Sequence, residues 1–376
     1  MTTYYVDPNS GSNGNAGTSF GAAWATTQFA ANNTAADDEV RLCQTAVESV
    51  ATQIDFDTTS GTKGSDIRFI SYSADGTTQQ DGYTLQASAS IASLAFLSVD
   101  YLRMVGVIFD GNSNATDGLT SAGGAARDGL RFLRCSFINC LADGVSPAWS
   151  VGEVSRLPRF LDSIFGNNGQ HGIGSPAASD GSVYALGCVF HDNVSDGIYM
   201  DSQNSFIGRC RFIDNGGNGI TIHLRGDYTI VQQSTFFGNT GDAINLEAGG
   251  NDDCVAEGCS FRSNGGYGIN FPSGGFNLSY MDFNHFSNNT LGAVEDGGAV
   301  SEATLLATAK YGTSNINGDP LFVSETDGSE DLTPGTGSPL IGAGLSGGVI
   351  GALPPAVSSG GGGLLTHPGM SGGMRG

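Results

Sequence analysis

The chain has 376 residues with 59 Gly and 11 Pro, and 39% of it is hydrophobic, so it is turn-rich yet apolar enough for one elongated core. Its 37 acidic residues outnumber 15 basic ones, a formal net charge of −22, which disfavours nucleic acid and polyanionic glycans as partners. No run of ~18 apolar residues offers a membrane span. The opening Met1-Thr2-Thr3-Tyr4-Tyr5-Val6-Asp7 has neither the basic nor the apolar region of a secretion signal.

Residues 1–42 form a lead-in marked by Tyr4-Tyr5-Val6-Asp7-Pro8, Gly17-Thr18-Ser19, Ala23-Trp24-Ala25-Thr26 and Asp38-Glu39-Val40. Residues 43–300 hold a repeat. Phe137, Phe165, Phe190, Phe212, Phe236, Phe261 and Phe286 recur at gaps of 22 to 28 residues. Eight positions after each stands Val145, Ile173, Ile198, Ile220, Ile244, Ile269 or Val294, preceded by Gly or Ala. Three positions after all but the first stands Asn: Asn168, Asn193, Asn215, Asn239, Asn264 and Asn289. A unit of ~22–28 residues fits one coil of a β-solenoid and is too short for a helix-hairpin repeat. Strand, polar turn and strand follow one another within the unit. Equivalent residues of neighbouring coils, about 4.8 Å apart, then form ladders: Phe on Phe and Ile on Ile inside, Asn on Asn at a turn. The Gly column marks either positive φ or a place with no room for a side chain.

Cys135, Cys188, Cys210 and Cys259 each lie two residues before a ladder Phe, on the same face of the strand. They read as free, interior thiols. The odd total of seven argues against a disulfide framework, and Cys43, Cys140 and Cys254 offer no zinc-ligand spacing.

Eleven residues after the ladder Phe, successive coils carry Asp201, His223 and Glu247, with Pro176 and Pro272 in the flanking coils. Position eleven has the opposite parity to the inward position eight, so a continuing strand points it outward. Asp201 and Glu247 lie two coils apart, about 9–10 Å. This approaches the roughly 6.5–9.5 Å separation of the two carboxyls of an inverting glycosidase. Arg225 is placed to hold substrate. Asp192 and Asp214, two residues after the Phe in adjacent coils, are a candidate calcium pair, and no cofactor is otherwise required. Asp143, Asp196 and Asp242 at position six read as turn residues.

Residues 301–352 close the repeat. Residues 353–376 then pass through Leu353-Pro354-Pro355 and a Gly-rich linker to an arm carrying Leu364, Leu365, Met370, Met374 and Arg375. Four apolar side chains cannot order such an arm in water, so it is expected to dock on a like subunit or another protein.

The lead-in motifs, together with Asp319-Pro320-Leu321-Phe322-Val323 and Gly337-Ser338-Pro339-Leu340-Ile341-Gly342-Ala343-Gly344, resemble the two ends of pectate-lyase-like right-handed β-helix proteins over about residues 4–351. The resemblance implies an all-β, single-stranded right-handed parallel β-helix with a short N-terminal capping helix and a C-terminal extension. It is nearly silent on chemistry, because the superfamily spans lyases, hydrolases, epimerases and inert fibres. Several of its lyases use a Lys or Arg base beside calcium-binding carboxylates, and no Lys lies in the Phe-ladder coils. Of the polygalacturonase motifs only Asp252-Asp253 is present, and Gln170-His171-Gly172 misses the first Gly of another. The fold, the missing signal, the free thiols and the docking tail together give a first expectation. It is a bacteriophage virion-surface protein made in host cytoplasm, homo-oligomeric, with a glycan as a further partner and neither nucleic acid nor membrane. The alternative is a polysaccharide-degrading glycoside hydrolase or lyase, exported by a non-classical route.

Overall fold

Each coil contributes three short strands, one more than the Phe and Ile columns disclose. The computed structural model describes residues 1–353 except 45–46, 122–127, 148–157, 176–181, 201–204, 224–228, 248–252, 272–276 and 308–310. Its strands form three eleven-stranded sheets, and strands of successive coils pair in parallel, as the repeat predicts. The antiparallel exception within them is Ala299–Val300 on Gly292–Asp296, at the end of the third sheet. No helix is long and apolar enough to cross a membrane.

The second sheet carries the Phe ladder in register. Phe109 extends it by one coil. Neighbouring rings stack with centroids 4.6 to 5.2 Å apart. All eight are fully buried. The third sheet carries the Val/Ile ladder, equally buried. The first sheet, unread in the sequence, adds Phe132 and Phe160, whose rings meet Phe137 and Phe165 edge-on.

The turns explain the polar columns. The chain passes from first to second sheet through a single residue of positive φ, as at Arg134 (51°), Asp162 (50°) and Gly187 (70°). Position two of the next turn is left-handed as well, which favours Asn, Asp or Gly (Asn139, Asn167, Asp192, Asp214, Gly238 and Asn288), with Ser263 the exception. At position three the Asn side chains are buried. Each Nδ2 donates to the ladder-Phe carbonyl one coil back, as Asn215 does to Phe190 at 3.1 Å. Each but the last, Asn289, also donates to the next Asn, Asn215 to Asn239 Oδ1 at 2.9 Å, while Oδ1 accepts the preceding coil's backbone N–H. The Gly column is settled by space. Gly172 has no positive φ, and a Cβ there would sit 2.6 Å from the Gly197 carbonyl.

Helix α1, Thr27–Asn33, covers one end of the solenoid, with Thr26 Oγ1 accepting the Phe29 N–H. Glu48, buried beneath it, accepts from Thr27 N and from the fully buried Tyr83 hydroxyl, which ties the cap to the coils below. At the other end residues 319–352 turn back as a strap over the outward side of the second sheet. Leu332 packs on Ile213 and Phe237. Arg262 makes a two-pronged pair with Glu325 at 3.1 and 3.2 Å. Ala352 N donates to Thr235 Oγ1 at 2.9 Å.

All seven cysteines are free and buried. Burial pushes the Cys135 and Cys259 thiols up to about 12. Mass spectrometry after non-reducing thiol blocking should find seven free thiols, and a Cys188–Cys210 bridge would contradict this packing. Denaturant unfolding of Phe212→Ala should show a loss of ~3–5 kcal/mol. Asn215→Leu, which orphans several buried ladder groups, should cost about 1–3 kcal/mol for each group left unsatisfied.

Candidate functional site

With the strap over the second sheet, the outward side of the third sheet is where the position-eleven column emerges. His223 N donates to Met200 O at 2.7 Å and Glu247 N to Ile222 O at 2.9 Å, so pairing continues to these residues and their side chains point out. They lie in adjacent coils and meet: His223 Nε2 is 3.2 Å from Glu247 Oε2, with the side chains 20% and 40% exposed. Tyr199 flanks the imidazole, ring centroids 5.8 Å apart, and stacks on His171 at 5.1 Å on its other side. A diagonal row therefore crosses four coils, from His171 through Tyr199 and His223 to Glu247.

Below this row runs a second ladder at position six. The backbone N–H of one coil donates to the side chain of the coil before. His171 N donates to Asp143 Oδ1 (3.0 Å), Asp196 N to His171 Nδ1 (3.1 Å), Asn218 N to Asp196 Oδ1 and Asp242 N to Asn218 Oδ1 (both 2.6 Å). The turn role expected for these aspartates is thus the observed one. An Nδ1 that accepts belongs to a neutral imidazole. Burial accordingly holds His171 below its ordinary value, against the opposing pull of Asp196 at 3.9 Å. Burial first, then Asp117, pushes the Asp143 carboxyl up to about 7, against the N–H of His171. Gly174 leaves the space that this carboxyl fills, since a Cβ there would lie 2.3 Å from it.

Sequence reasoning singled out His223 and Glu247 and missed Tyr199 and His171 as their companions. The signal was available, because Tyr199 follows Phe190 by nine and shares the outward parity of position eleven. Asp201 and Arg225 lie outside the described residues, as do Leu364, Leu365, Met370, Met374 and Arg375. Asp192 and Asp214 occupy left-handed turn positions, which accounts for their residue type without a metal. Asp192 Oδ2 sits 2.8 Å from His191 Nδ1. Asp214 instead meets Asp327 and Glu330 of the strap, with one oxygen of each within 4.8 Å of the others. Three carboxylates offer the hard oxygens that calcium takes but fall short of its usual roughly six to eight. A proton serves them too: burial, then Glu330, raises Asp214 to about 6.

A family model described as "Right handed beta helix region" matches residues 153–308. No curated protein sequence matches significantly. Among solved structures, pectate lyase Pel9A is similar at 16% identity and a TM-score of 0.68, covering 94% of this chain and 96% of that one. An alginate lyase from Paenibacillus sp. str. FPU-7 is similar at 12% identity and a TM-score of 0.50, covering 77% and 94%. At such identities the likeness is one of fold, and the fold is the right-handed parallel β-helix.

Asp143 and Asp214 carry a pH signature. A carboxyl raised by folding favours the folded state while protonated, so its contribution is complete below the ordinary carboxylate range and is lost as pH rises through the folded value. Stability should therefore fall between about pH 4 and 7. Asp143→Asn, which keeps the acceptor for His171 N–H, should flatten that decline in thermal unfolding scans.

Proposed function

We propose that the protein is a glycan-cleaving β-helix whose substrate lies along the outward side of the third sheet, with the His223–Glu247 pair at its reacting bond. The observation that carries this is the 3.2 Å imidazole–carboxylate contact at the ends of two third-sheet strands, beside the Tyr199–His171 stack. A carboxyl and an imidazole at hydrogen-bond distance can pass a proton to or from a glycosidic oxygen or a water. The half-buried, stacked rings of Tyr199 and His171 give sugar faces an apolar platform.

The two similar solenoids are by name a pectate lyase and an alginate lyase, and pectate and alginate are polyanions. The described residues of this face hold Asp143, Asp196 and Glu247 and no Lys or Arg, which favours a neutral glycan. A neutral sugar lacks the carboxylate that makes a ring proton acidic enough for elimination, so the reaction is hydrolysis. Glu247 is one carboxyl of the acid–base pair, oriented by His223. Asp201, from its column in the repeat, is the other. A docking role for residues 364–376 on a virion or a like subunit concerns a segment outside the described residues and takes no part in this reading.

The test is reducing-sugar release from a panel of neutral polysaccharides. The chain should cleave at least one of them. Glu247→Gln and Asp201→Asn should each lower kcat by ~100-fold or more while circular dichroism melting is unchanged. Tyr199→Ala should raise KM and largely spare kcat. Absence of cleavage across the panel, or full activity in Glu247→Gln, would overturn the proposal.

A further inference from the structure

The outward side of the first sheet is organised quite differently. Four consecutive coils place Arg68, Arg103, Arg131 and Arg159 in one in-register column, the last three standing six residues before a ladder Phe. The chain has only 13 arginines, its 15 basic residues less Lys63 and Lys310, and nearly a third stand here. Like charges about 4.8 Å apart repel. Acids relieve this only in part: Arg68 and Arg131 reach Asp37 and Asp66 at 3.7 Å, and the Arg159 guanidinium lies 5.4 Å from the Tyr184 ring centroid. Arg103 makes no ion pair among the described residues.

The same column then changes character. Tyr184 stacks on Phe206, and four coils beyond Tyr184 the column ends at Tyr280, 42% exposed. Two residues along, the neighbouring outward column runs through half-buried Leu133, Leu161 and Leu186 to Glu257 and Asp282. One face therefore carries its arginines toward the N-terminal end, where Glu39 precedes Arg68 in the column, is apolar in the middle, and presents half-buried Glu257 toward its C-terminal end, where the Asp282 carboxylate is buried and accepts the Phe283 and Ser314 N–H groups. Tyr184 is the midpoint, with four Arg coils before it and four coils after it. The strap packs on the second sheet and reaches this face only beside Gln232 and Glu257, where Leu345 and Val349 approach.

We propose that this face is the contact between two antiparallel copies of the chain, related by a two-fold axis through the coil of Tyr184. Such an axis reverses coil order and preserves strand alignment, so the patch is self-complementary, as an isologous interface requires. Tyr184 and Leu186 meet their own copies on the axis, Leu161 lies over the Gly208 coil of the other copy, and Leu133 lies over its Gln232 coil. The Arg103 coil faces the Glu257 coil, and the Arg68 coil faces that of the exposed Tyr280. The contact runs over eight coil steps, about 38 Å. A second copy fits better than a polyanionic polymer, because a polymer long enough to span the arginines would run into the acidic end of a chain that is already at −22.

Sedimentation velocity of the full chain should show a species of twice 38.5 kDa. Arg103→Glu and Glu257→Arg should each weaken the dimer by about tenfold or more, and the double variant should recover most of the loss. Tyr184→Glu, which sets two carboxylates on the axis, should give a monomer with an unchanged melting temperature. A wild-type chain that stays monomeric at about 100 µM would overturn the proposal. So would a dimer indifferent to all three substitutions. A monomer that binds polygalacturonate through Arg103 would assign the face to a polyanion instead.

Discussion

In-register parallel pairing governs this molecule. Once each coil hydrogen-bonds to the next along three strands, every side chain acquires a copy of its own position about 4.8 Å above and below. Residue types are then judged by how well they stack with themselves. Phenyl rings do so with centroids 4.6 to 5.2 Å apart. Primary amides do so by donating from one to the next at 2.9 Å, and they serve the buried turn groups that no strand can reach. Charges stack badly, and each charged column is relieved in its own way: His and Asn alternate with Asp at position six, and acids and a tyrosine ring flank the arginines.

The same rule decides what could be read in the sequence. The Phe, Ile and Asn columns were legible because they keep one residue type through nearly every coil, and Cys positions followed from their parity with Phe. The first sheet was not, although its outward column keeps a constant offset of six from the ladder Phe. Its residue type drifts from Arg through Tyr and Phe to Ile, and the eye follows identity before it follows spacing. Local backbone geometry was invisible for a different reason. Asp192 and Asp214 stand where the chain turns left-handed, and a sequence shows the acid but not the φ that favours it. The strap's contribution of Asp327 and Glu330 to Asp214 joins residues more than a hundred positions apart, and no repeat announces it.

The three outward faces diverge because only the inward positions are bound by the ladder. The second is closed by the strap, the third gathers imidazoles, carboxyls and a tyrosine, and the first is graded in charge. His223 and Glu247 illustrate how chemistry enters such a scaffold. Their backbone N–H groups keep the strand pairing, a donation the column's flanking prolines have no N–H to make, and their side chains leave the sheet for the outward face.

The strap also decides how the molecule bears load. The chain's last described contacts are not at the final coil but beside the coil of Phe236, through Ala352 on Thr235 and Gly351 on Gly258. A pull applied there cannot unzip the terminal coil one hydrogen bond at a time. It must slide Leu332 off Ile213 and Phe237 while the Arg262–Glu325 clamp resists in the same direction. The carboxyl end is anchored in shear rather than in peel, so tension reaches several coils at once and the exposed end of the stack is spared.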